Sequence, residues 1–148
     1  MAQGLTPVTI DASLGVALAV PVKHSERITD RVLDWVQRGV PIYVPDLWEY
    51  EVASALRRGV RRGLLSDEWA AAALAELLEI GVTRIAPEEA LHREALRLAA
   101  LLNLESADDA HYMAVALRHG ARFWTTNPAL AQAAHAKGIT WVSWIGEE

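Results

Sequence analysis

Short β-rich runs alternate with helical segments along the whole of this chain, and that alternation restricts it to a parallel sheet carrying helices on both faces. The runs are Val8-Thr9-Ile10, Ile42-Tyr43-Val44, Val82 to Ile85, Arg122-Phe123-Trp124 and Thr140-Trp141-Val142. Between parallel strands the chain must return to the same edge of the sheet, and a helix is the usual way back. Helical patterns fill the intervals: Ala12 to Val20 before Pro21, His24 to Arg38, Asp46 to about Gly59, Ser66 to Gly81, Glu88 to Leu102, Ser106 to His119, and a last helix opened by Asn127-Pro128 and stopped by Gly138. Asp46 with Glu49 has the form of a capping box, and the two helices joined across Gly59 to Gly63 read as a helical hairpin. At 148 residues the pattern makes one domain over 1–148.

Asp11, Glu51, Asp109 and Asn127 stand where strands turn into helices or where helices begin. Strand ends in an open parallel sheet share one edge, so groups placed there meet in one crevice. Each has a local explanation to set against that. Asp11 and Asn127 suit helix N-caps, the latter with Pro128 at the first helical position. Ser106 to Asp109 can be read as a capping box with Asp in place of Glu. Glu51 lies too far into its helix to cap it, and its neighbours three and four residues away are Leu47, Trp48, Ser54 and Ala55. A carboxylate on that apolar-to-small stripe needs a cation or an arginine partner to offset its desolvation.

Three carboxylates gathered in one crevice repel, and a hard divalent cation removes the repulsion. Mg2+ or Mn2+ takes oxygen ligands, keeps several waters and lowers their pKa, which points to hydrolysis of a phosphodiester by water with no protein nucleophile. Asp11 and Asp109 are then the principal metal ligands. Glu51 is a ligand directly or through water and a candidate base, and Asn127 is a neutral orienting ligand. Ser13, Thr125 and Thr126 are candidates for hydrogen bonds to metal waters or phosphate, and equally for loop and capping bonds. Arg57, Arg58, Arg61 and Arg62 follow Glu51 closely enough to meet phosphates, or to pair with Asp67 and Glu68 at a helix end.

Other chemistries find no support. Cysteine is absent, which excludes disulfides, thiolate metal sites and a cysteine nucleophile. His24, His92, His111, His119 and His135 form no close metal spacing, and neither a Gly-rich phosphate loop nor a serine elbow is present. A net charge of -5 argues against broad nucleic-acid binding, so any such contact has to come from a local patch. No apolar run approaches the roughly 20 residues of a bilayer span, and no basic segment leads into an apolar one at the N-terminus. The expectation is a cytoplasmic protein without membrane association. Of the six tryptophans, Trp48 and Trp69 are core residues or partner anchors of the hairpin, while Trp141 and Trp144 pack the last strand or extend a dimer contact.

Four blocks, in order, carry a resemblance: Ile10-Asp11-Ala12-Ser13; Pro45-Asp46-Leu47 leading to Glu51-Val52-Ala53-Ser54-Ala55-Leu56-Arg57-Arg58; Ser106-Ala107-Asp108-Asp109-Ala110-His111-Tyr112; and Trp124-Thr125-Thr126-Asn127-Pro128-Ala129-Leu130. Together they resemble the PIN-domain proteins, particularly toxins of the VapC type, over essentially the whole chain. The resemblance implies a three-layer α/β/α sandwich around a central parallel sheet, Mg2+- or Mn2+-dependent endoribonuclease activity on RNA, inhibition by a small antitoxin protein, and a homodimer. It puts the family's acidic ligands on Asp11, Glu51 and Asp109. The family's fourth acidic position falls on Asn127, where an amide brings no charge. That departure keeps a second reading open, a catalytically weak or silent PIN-type module that binds RNA or protein.

Overall fold

In the computed structural model, which describes residues 5–19 and 25–146, the strands are β1 (Val8–Ile10), β2 (Tyr43–Pro45), β3 (Thr83–Ile85), β4 (Arg122–Thr125) and β5 (Val142–Trp144). The helices are α1 (Ala12–Val16), α2 (Ser25–Gln37), α3 (Leu47–Arg61), α4 (Asp67–Leu78), α5 (Glu89–Leu101), α6 (Asp108–His119) and α7 (Pro128–Ala136). Every ladder is parallel. β4 lies between β1 and β5, with Val8 opposite Arg122 and Phe123 opposite Val142, and β2 pairs with β3. The two parts meet at a bridge between Val8 and Ile42, where the Val8 N–H donates to the Pro41 carbonyl at 2.9 Å. The order across the molecule is therefore β3-β2-β1-β4-β5, and the helices complete a three-layer α/β/α sandwich.

Local sequence accounts for the elements that frame the strand ends. β1 is buried at all three positions, as a central parallel strand covered on both faces must be. The middle of α6 is buried on all sides, from Tyr112 through Ala116 with Ala110 before them, so it forms core between two polar ends. Gly120, at φ 62, closes α6 in the left-handed conformation that glycine adopts without strain, and the chain turns straight into β4. Helix and strand consequently run in opposite directions. The start of α6 thus returns to the edge where β1 and β4 end.

α1 and α3 approach closely at Gly15. A Cβ there would stand 2.9 Å from Cζ2 of Trp48, which is itself fully buried. That contact sets the helix carrying Asp11 directly against the helix carrying Glu51.

Several expectations need correction. The first helix ends at Val16 and continues only as a turn to Ala19. Val20, Pro21 and His24 lie outside the described residues. The Asp46–Glu49 capping box is not formed, because Asp46 already has helical backbone angles and its N–H donates to the Ile85 carbonyl at 3.3 Å. A capping side chain needs an extended residue to reach back. Glu49 instead pairs with Arg84 of β3 at 2.5 Å. Trp69 is 58% exposed rather than core, with its indole N–H on the Ala19 carbonyl at 3.4 Å. Ser66 does cap α4, accepting the Trp69 N–H at 3.0 Å.

Candidate functional site

Asp11 leaves β1 and opens α1. Its Oδ1 accepts the Leu14 N–H at 2.8 Å, so it is an N-cap. It is also more than that, because Oδ2 collects three donors from the chain leaving β4. These are the Thr126 N–H at 2.9 Å and the hydroxyls of Thr125 and Thr126, each at 3.1 Å. Thr125 in turn accepts the Asn127 N–H at 3.0 Å. The two threonines, candidates for contact with phosphate or metal waters, are thus engaged in fixing Asp11. Burial raises the proton affinity of this carboxyl, and the four hydrogen bonds oppose that rise.

Glu51 projects from α3, and its Oε1 accepts the Tyr112 hydroxyl at 2.5 Å. Tyr112 is buried in α6, with its ring stacked on Phe123 at 5.8 Å between centroids. The partner of Glu51 is therefore a tyrosine, not the arginine of a structural ion pair. Tyr112 ends the third resemblance block without a role assigned to it, yet it follows Asp109 by three residues on one helix face, and a buried tyrosine hydroxyl requires a partner. Burial raises the pKa of Glu51, the Tyr112 bond opposes it, and the charges of Asp108 and Asp11 raise it further against Arg58. Burial and the Glu51 carboxylate hold the Tyr112 hydroxyl firmly protonated, with Asp11 and Asp109 adding to the effect.

Asp109 is half-buried in the first turn of α6. The capping box from Ser106 is absent: the N-cap is Ala107, at φ -94 and ψ 4, and no side chain caps this helix. Local capping thus makes no claim on the Asp109 carboxylate. Its pKa is pushed up to about 6 by burial, then by the charges of Asp11, Glu51 and Asp108. Acids from β1, α3 and α6 lie in one another's electric field.

Asn127 follows the capping alternative. Its Oδ1 accepts the N–H groups of Ala129 and Leu130 at 3.0 and 3.4 Å, so the oxygen that a ligand role requires is already engaged at the start of α7. Ser13 is exposed in the first turn of α1. Arg57 pairs with Asp67 at 3.5 Å, both well exposed, whereas Arg58 stands close enough to Glu51 to lower its pKa. Arg61 and Arg62 are exposed.

The donor set suits a hard cation, since carboxylates that favour proton uptake through burial and mutual repulsion are relieved by positive charge. Among the described residues no three His, Asp or Glu side chains already form a cage that could hold a metal ion. Ligation therefore requires the less constrained acids, Glu51 and Asp109, to close on Asp11.

Residues 8–136 match the PIN domain family. The chain belongs to that family. This PIN domain is 33% identical over 124 residues to Ribonuclease VapC3 of Pyrobaculum aerophilum, across 83% of this chain and 91% of that protein. The crystal structure of PAE2754 from the same organism superposes with a TM-score of 0.62 at 27% identity, covering 88% of this chain and 83% of the other. Two structures share the fold at lower identity. VapBC2 of Rickettsia felis, bound to a DNA fragment from its promoter, gives a TM-score of 0.67 at 11% identity over 93% and 97% of the two chains. VapC20 of Mycobacterium tuberculosis, a toxin cleaving the sarcin-ricin loop, gives 0.60 at 19% identity over 84% and 94%. The PIN domain described here is of the VapC type.

Proposed function

We propose that this PIN domain is the ribonuclease toxin of a toxin–antitoxin pair and acts, as one nuclease domain, as a Mg2+- or Mn2+-dependent endoribonuclease. The observation that carries the reading is the convergence of Asp11, Glu51 and Asp109 from three elements, where burial raises the proton affinity of each and the Asp11 charge adds to the rise at Glu51 and Asp109. Likeness to Ribonuclease VapC3 supports RNA as the substrate, and likeness to VapBC2 supports a small antitoxin as the partner. A homodimer in the cytoplasm is part of the same proposal. Among the described residues no helix is long and apolar enough to cross a membrane.

Asp11, Asp109 and Glu51 would hold the cation. When bound, it supplies positive charge for the phosphoryl oxygens and lowers the pKa of water. The chain's own contribution is positional. Four hydrogen bonds fix Asp11, and the Tyr112 hydroxyl occupies Oε1 of Glu51, so that Oε2 is left for the cation, directly or through a water whose proton it would accept. Arg58, already close to Glu51, is positioned to offset phosphate charge. Incubation of RNA with the purified protein and Mg2+ or Mn2+ tests the reading. Cleavage that stops with chelator and with Asp109→Asn is expected. The neutral amide of Asn127, where the family carries an acid, favours the second reading, a silent binding module, and RNA binding without cleavage at any metal concentration would establish it.

A further inference from the structure

A groove beside the acids has features that phosphodiester cleavage does not use. It encloses about 280 Å³ between the start of α3, the end of β3 and the first turns of α5 and α6. Pro45, Pro87 and Leu91 supply apolar wall, and Tyr50, the residue before Glu51, stands at the rim 74% exposed. Asp108 lines the groove and also lies in the field of Glu51 and Asp109, so the groove is continuous with the acidic site.

Apart from the Tyr50 hydroxyl, the polar side chains at its edge offer acceptors. Asp46 and Asp108 present carboxylates. His111 Nδ1 lies 2.7 Å from the Ala107 carbonyl, which can only accept, so that nitrogen carries the proton. In the neutral pair His111 Nε2 then accepts from His92 Nδ1 at 2.8 Å, and His92 Nε2 remains as an acceptor with no proton. A flat apolar slot with an exposed aromatic ring and an acceptor-rich rim matches a ring that carries amino donors. Its volume suits one planar base and falls below the roughly 300–1,000 Å³ of sites for larger ligands. A partner's helix, about 10 Å across, is a poor fit.

Resting on the ribonuclease reading above, we propose that this groove is a nucleobase slot: it takes the base of a nucleotide beside the cut phosphodiester, stacks it on Tyr50, and favours adenine, cytosine or guanine over uracil. Stacking on an aromatic ring tolerates any base, so the acceptors provide the discrimination. An exocyclic amino group donates to Asp46, Asp108 or His92. Uracil flanks its single N–H with two carbonyl oxygens, which these acceptors repel.

The test uses short RNAs differing only in the base next to the cut. Binding is measured in the Asp109→Asn protein and cleavage in the otherwise unchanged chain. Tyr50→Ala is expected to weaken binding of the amino-bearing RNAs by about tenfold or more, as loss of one stack does, and to shrink the margin over uracil. Tyr50→Phe keeps the ring and should keep both; unchanged thermal unfolding in each variant checks the fold. Equal binding of all four bases, or binding untouched by Tyr50→Ala, overturns the slot. So does a Tyr50→Ala protein that escapes its antitoxin while reading bases as before, which would assign the groove to a protein partner. Base-selective binding with no cleavage by the unaltered chain supports the slot and sinks the hydrolase. Metal-dependent cleavage blind to the base and to Tyr50 does the reverse.

Discussion

Asp11 and Glu51 reach the same site from different parts of the sheet and are held in opposite ways. On the β1–β4–β5 side, Asp11 takes one hydrogen bond on Oδ1 and three on Oδ2, from donors fixed by strand register. On the β2–β3 side, Glu51 rides on α3 and takes a single tyrosine hydroxyl on Oε1. The over-determined acid is a fixed reference point. The singly tethered one has the freedom that the proposed cation site asks of it, because one hydroxyl fixes only one of its oxygens.

Removing the reference point should have the largest effect. Asp11→Asn is expected to reduce metal-dependent RNA cleavage by at least about a hundredfold, in keeping with loss of a key electrostatic group, while circular dichroism shows a folded protein. Retained activity would show that the fixed acid is only a cap. Next comes the support beneath it. Thr125→Val deletes a buried hydroxyl that serves both Asp11 and the Asn127 N–H, and should lower unfolding stability by about 1–3 kcal/mol in denaturant titration.

Tyr112→Phe, near-isosteric, probes the single tether. It should raise the Mn2+ concentration needed for half-maximal cleavage by about tenfold, the size of one charge-assisted hydrogen bond, and leave thermal unfolding within a few degrees. An effect as large as that of Asp11→Asn would erase the contrast between the two acids.

The smallest expected effect is on pH dependence. Asp109 has a folded pKa of about 6 against an ordinary 3.8, so the folded chain binds more protons than the unfolded one between those values. Without metal, stability should therefore fall as pH rises from about 4 to about 6. Unfolding midpoints in chelator at pH 5 and pH 7.5 check the sign, and Mn2+ should narrow the gap, because cation and proton compete for the same carboxylates.

What the sequence made legible is what depends on neighbours along the chain. The first four strand runs, the helix start at Ser66 and the Asn127 cap follow from residues within a few positions of one another, whereas the last strand runs from Val142 to Trp144 and leaves Thr140 and Trp141 outside it. Tyr112 meets Glu51 across 61 positions, and Thr126 meets Asp11 across 115, so neither pairing leaves a periodic or local trace. The misreading at Asp46 has the same origin. A local capping pattern was overruled by a distant carbonyl, that of Ile85, which drew the backbone into helical geometry one residue early. Trp69 looked like core because tryptophan usually is, and only the packing of the helical hairpin shows it on the surface.

Gly15 is where α1 and α3 approach too closely for a side chain. One methyl group added there meets an indole face instead of empty space, so α1 would be wedged away from α3, and Asp11 begins the turn that is wedged. The gap between the two acids is gauged by a residue that has no side chain, which makes Gly15 the natural dial for attenuated forms that change no carboxylate, only its distance from the next.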